Sequence, residues 1–147
     1  MADDVAAANV NRTYTIAGTS IAIFTFTLFF LYPRFKSGEA NALLFQATIV
    51  AMAVATFSFV FATLSYYAVS LGERLDDVAR LQYSRRGDRF WLLGYTCLLL
   101  APSLILFSIG LLAVALFWLA LWMVYLLFMI RYFPNVRTAR TAERGGA

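Results

Sequence analysis

Forty-one consecutive residues, Phe90 to Ile130, contain no Asp, Glu, Lys or Arg. As one helix this run would be about 60 Å long, twice the roughly 30 Å hydrocarbon core of a bilayer. A soluble fold of 147 residues is too small to hide so much uninterrupted apolar chain. The run therefore reads as two membrane-crossing helices joined by a tight apolar hairpin. Ser108-Ile109-Gly110, near its midpoint, supplies the turn residue.

Two further charge-free runs precede it, Tyr14 to Tyr32 and Ala42 to Gly72. The expected fold is all-α: a polytopic membrane protein with four transmembrane helices over about 14–32, 42–70, 89–108 and 111–132. These make one domain, 1–133. Asn11 or Thr13 is placed to cap the first helix, and Pro33 to close it. The second run is about 45 Å long as a helix, so it must tilt or project into water. The pattern predicts a second helix extended into the cytoplasm as far as Tyr83. Asp76 and Arg80 then pair at a spacing of four, and Ser84-Arg-Arg-Gly87 breaks the helix. Pro102 is expected to kink the third helix, because it removes a backbone hydrogen bond. The polar stretch 134–147 is expected to be a disordered cytoplasmic tail.

Composition agrees with this architecture. The chain is 62% hydrophobic and 14% charged, against about 45–50% and about 25% in an ordinary soluble domain. Its net charge of +4 does not indicate nucleic acid, because the arginines flank the apolar runs instead of forming a water-facing basic surface. Ten basic residues fall on the side of the N-terminus, middle loop and C-terminus, and only Arg34 and Lys36 fall opposite. By the positive-inside rule both termini are cytoplasmic. The expected location is a cell membrane, that of the bacterial inner membrane. Met1-Ala-Asp-Asp lacks the basic start of a cleaved signal peptide, so the first helix is expected to serve as the insertion signal.

Coupling chemistry is poorly represented. The three charge-free runs that make up the spans leave Asp, Glu, Lys and Arg only at their ends, the chain has no histidine, and Cys97 is its single cysteine. Proton-coupled transport, bis-histidine haem ligation and a Cys–His nucleophile all need residues that are missing. No catalytic, metal or cofactor site is expected.

What remains is pattern. In the second helix Ala47, Ala51, Ala55, Ser58, Ala62 and Ser65 recur at spacings of three and four, which places them on one face. Such a face suits close helix packing; the sharper reading is a pore lining that uses Ser58 and Ser65. The first helix carries a stripe of Thr15, Gly18, Ala22 and Thr25, with Thr19 nearby. Its hydroxyls either bond back to their own helix or form a polar surface in an oligomer. Gln46 is read as interhelical glue or a constriction residue. Trp118, Trp122, Tyr125 and Met129 read as packing knobs set against the small stripe of the second helix. Arg80, Arg85, Arg86, Arg89 and Arg131 are expected to meet lipid headgroups.

Three functions fit. The first is a homo-oligomeric, channel-like passive conduit. The second is an accessory or scaffolding subunit of a larger membrane complex. The third, with least support, is an enzyme acting on a lipid-soluble substrate. Membrane lipids are the expected partners in every case.

Overall fold

In the computed structural model the backbone is described for residues 2–71 and 76–144, and side chains for 7–71, 76 and 78–131. Four helices account for nearly all of it: α1 (Ala2–Lys36), α2 (Ala42–Ser70), α3 (Asp77–Ser108) and α4 (Leu112–Arg144). Each contains a segment long and apolar enough to cross a membrane: Ala7–Lys36, Ala42–Ser70, Val78–Ser108 and Leu112–Arg131. The fold is all-α.

The two tight reversals are built alike. At the end of α1 the Glu39 N–H donates to the Arg34 carbonyl and the Gly38 N–H to that of Phe35. At the end of α3 the Leu111 N–H donates to Leu106 and the Gly110 N–H to Phe107. Both are Schellman motifs, which need a left-handed residue after the cap. Gly38 (φ +78°) and Gly110 (φ +81°) supply it. Asn41 then starts α2, its side-chain oxygen accepting from the Leu43 and Leu44 N–H groups. Its own N–H donates to the Ser108 carbonyl at 3.2 Å, which ties the first hairpin to the turn of the second.

The helices form a row. α2 packs between α1 and α3, and α4 lies against α3. The seam around α2 contains Met52, Ala55, Phe59 and Ala62, all fully enclosed. Phe59 meets Tyr95 edge-on, with ring centroids 6.1 Å apart. It also lies against Gly94, where an added Cβ would come within 3.0 Å of the ring. The outside is apolar: Phe29, Leu43, Phe117 and Leu127 are among many large exposed hydrophobic side chains. A surface of that kind is stable against hydrocarbon, whereas water would drive it to aggregate.

Four local expectations change. α1 begins well before Asn11. Thr13 is therefore an interior residue, donating to the Asn9 carbonyl at 2.6 Å, and caps nothing. Pro33 lies inside α1, which runs one turn further, to Lys36; a proline removes one donor without forbidding the next turn. α2 stops at Ser70 with Leu71 as its cap, so the extension expected through Tyr83 does not belong to it. The charged segment 77–89 forms the first turns of α3 instead. Asp76 stands at the start of α3, where a negative charge suits the positive end of the helix. Gly72 to Leu75 lie outside the described residues. Finally, α4 continues to Arg144 through most of the tail expected to be disordered. Its Ala, Arg and Glu content favours helix, and 145–147 lie outside the described residues.

Candidate functional site

Hydroxyls dominate the polar chemistry within the helices, and most are spent locally. Thr15 donates to the Asn11 carbonyl, Thr19 to Thr15, Thr48 to Leu44, Thr63 to Phe59, Ser65 to Phe61 and Thr96 to Leu92, each one turn back. This is how a membrane helix satisfies Ser and Thr without a partner.

The small face of α2 divides. Ala55, Ser58 and Ser65 are buried in the seam, whereas Ala51 is half-buried. Ser58 and Ser65 thus lie largely between helices of one chain. One of the contacts across the seam is polar: the Ser20 and Thr56 hydroxyls share a hydrogen bond of 2.9 Å between α1 and α2. Gln46 is exposed and makes no hydrogen bond among the described residues, so it does not join helices within this chain.

The stripe on α1 faces the other way. Thr15, Gly18, Thr19, Ala22 and Thr25 are all exposed, directed away from the rest of the chain. Nothing lies within 4 Å of the position a Cβ on Gly18 would take. Gly18 and Ala22 are four apart, so this is an outward small-xxx-small face.

The tryptophans of α4 face α3, and not the small stripe of α2. The Trp118 indole N–H donates to the Leu99 carbonyl at 2.9 Å, and that of Trp122 to Thr96 at 3.0 Å. Ser103 donates to the Ala115 carbonyl at 3.1 Å, and both residues are fully buried. Three side-chain bonds thus climb the α3–α4 contact at matched spacings. Leu99 sits beside Leu98, whose carbonyl loses its usual donor to Pro102.

Near the N-terminal end of α3 a second polar group gathers. Tyr66 on α2 is 6% exposed and donates its hydroxyl to Asp88 at 2.8 Å. Gly87 lets the ring in, because a Cβ there would fall 2.8 Å from a Tyr66 ring carbon. Arg12 of α1 lies over the Trp91 ring, 5.4 Å from its centroid, and Trp91 stacks on Tyr95 at 4.8 Å. Cation–π contact and the Tyr–Asp bond join α1, α2 and α3 at this end.

Beside that group is a cavity of about 370 Å³ lined by Gln82, Tyr83, Arg85, Arg86 and Arg89. The three arginines are exposed and, among the described residues, none pairs with a carboxylate. Tyr83 and Arg86 also border an adjoining groove whose other walls are Phe61, Leu64, Ser65 and Phe90. Of the other arginines expected at headgroups, Arg80 is half-buried and Arg131 is exposed on α4, and neither is among these walls.

Sequence reasoning missed the Tyr66–Asp88 and Ser20–Thr56 bonds, whose partners are 22 and 36 residues apart and share no motif. The tryptophan bonds carried a signal. An indole N–H inside an apolar run requires an acceptor, and a carbonyl on a neighbouring helix can supply one.

No family model matches the chain, and no curated protein or solved structure matches it.

Proposed function

We propose that the chain is an integral membrane protein, of a bacterial inner membrane with both termini cytoplasmic, that assembles with further copies of itself as a scaffolding subunit. The outward small face of α1 carries this reading. Thr15, Gly18, Ala22 and Thr25 are spaced to let a second helix approach closely, and their own chain leaves them uncovered. Helices in hydrocarbon gain little from burying apolar surface against each other, so close backbone approach and packing decide where they meet. A Gly-xxx-Ala pair suits contact between two identical faces.

The passive conduit is the second reading, favoured by one observation. The Thr15, Thr19 and Thr25 side chains are exposed on that same face, so in a ring with α1 toward the axis their oxygens would meet water. It stands second because the serines that α2 would contribute lie buried in a seam.

The test uses Ala22→Cys in a Cys97→Ala background, cross-linked in native membranes. A dimer on non-reducing gels is expected, and it should vanish when Gly18→Leu is added. Absence of any cross-link at Ala22, with monomers in mild detergent, would remove self-assembly. Ion flux in liposomes that depends on Thr15 and Thr19 would favour the conduit over the scaffold.

Orientation is checked separately. Reporters fused after Ala147 should report cytoplasm, and one inserted at Ser37–Gly38 the opposite side. A cytoplasmic signal from the insertion at 37–38 would contradict the four-span arrangement.

A further inference from the structure

We propose that the arginine cavity of α3 and the adjoining groove form one binding site for an acidic phospholipid. The proposal rests on the membrane reading but not on the α1 contact between copies. It starts from position. Arg89 is the last charged residue before the charge-free run that opens at Phe90. The cavity therefore sits where α3 passes from water to hydrocarbon, at the level of the headgroups.

The two compartments match the two halves of a lipid. The upper one presents Arg85, Arg86 and Arg89 with Gln82 and Tyr83, and about 370 Å³ accommodates a phosphodiester headgroup. Guanidinium groups bind phosphate oxygens in pairs, and these three have no carboxylate partner among the described residues. The nearest carboxylate in sequence, Asp88, accepts the Tyr66 hydroxyl, which directs it toward α2. The lower compartment, about 280 Å³, is walled by Phe61, Leu64 and Phe90, and these suit the first part of an acyl chain. Tyr83 and Arg86 border both compartments, so one molecule can span them. A soluble phosphate would use only the upper half. The basic majority on this side also places the site in the cytoplasmic leaflet, where acidic lipids raise the local concentration of its ligand.

The test is thermal melting of the full chain in a neutral detergent, titrated with dioleoyl phosphatidylglycerol, dioleoyl phosphatidylcholine or glycerol phosphate. Phosphatidylglycerol is expected to raise the midpoint at concentrations where the other two do nothing. Each of Arg85→Gln, Arg86→Gln and Arg89→Gln should weaken the preference for phosphatidylglycerol by about fivefold. Arg131→Gln on α4 should leave it unchanged. Leu64→Ser, which keeps every charge, should weaken phosphatidylglycerol but not glycerol phosphate. If a glutamine variant folds poorly, native mass spectrometry of Arg86→Lys tests the same point, with retention of acidic lipid expected to fall by less than about fivefold, because lysine keeps the charge but not the bidentate hydrogen bonds. Equal stabilisation by glycerol phosphate would make this a soluble-anion site and overturn the proposal. Full retention of lipid preference by the triple glutamine variant would overturn it too.

Discussion

Ala55→Leu is expected to destabilise the chain by ~3 kcal/mol, the upper end of the usual cost of overpacking. Ala55 is fully enclosed and clusters with Ala17 of α1 and Phe59 of its own helix. A leucine there has no free volume to enter. It must push α1 outward or turn Phe59, and Phe59 is already held between Gly94 and Tyr95. The same change at Ala51, one turn away on the same face, should cost less than about 1 kcal/mol, because that residue is only half-buried. Val50→Leu, at an exposed position, serves as the neutral control. The measurement is the melting midpoint in mild detergent. Equal loss at positions 51 and 55 would mean that the seam does not narrow where the structure places it.

That contrast also shows how far the sequence could be read. The spacing of small residues along α2 identified a face, because a helical period of 3.6 fixes which residues share it. It did not identify where along the face a neighbour comes closest, since Ala51 and Ala55 look alike in one dimension. The four long apolar helices were legible because a charge-free run of forty-one residues has few physical solutions. The boundary between α2 and α3 was not. Leu71 caps α2 and Val78 lies in α3, yet seven residues apart they would share a face of one continuous helix, and the sequence offered a stronger-looking break at Gly87. Gly87 proved to be helical, its missing side chain needed for the approach of Tyr66. The α1 stripe was recognised as a stripe, but only the packed structure directs it outward. The arginines were assigned to headgroups one by one; the cavity appears only when α3 carries Gln82, Tyr83, Arg86 and Arg89 on consecutive turns of one helix beside Phe61 and Leu64 of α2.

The position of α4 gives the second large effect. This helix has its main contact with α3, and only 6% of its most apolar window is buried. A peripheral helix in hydrocarbon has no hydrophobic force holding it, because lipid chains cover its surface equally well. Among the described residues, packing and the bonds from Trp118, Trp122 and Ser103 take over that role. The two contributions separate by substitution. Trp118→Phe with Trp122→Phe removes both N–H donors and keeps most of the bulk. Each bond in a membrane bundle is worth about 0.6 kcal/mol on average, and the Leu99 and Thr96 carbonyls retain their own helix as a partner. The double phenylalanine variant should therefore lose only about 1 kcal/mol. Trp118→Ala with Trp122→Ala removes the bulk as well. Complete truncation of a buried tryptophan costs about 3–5 kcal/mol, and these two are half-buried, so a combined loss of ~4 kcal/mol is expected. The double alanine variant should melt in two steps, α4 leaving α3 before the α1–α2–α3 seam gives way, while the seam variant Ala55→Leu melts in one step at a lower midpoint. A single, unshifted transition for the double alanine variant would mean that these tryptophans do not hold α4 against α3.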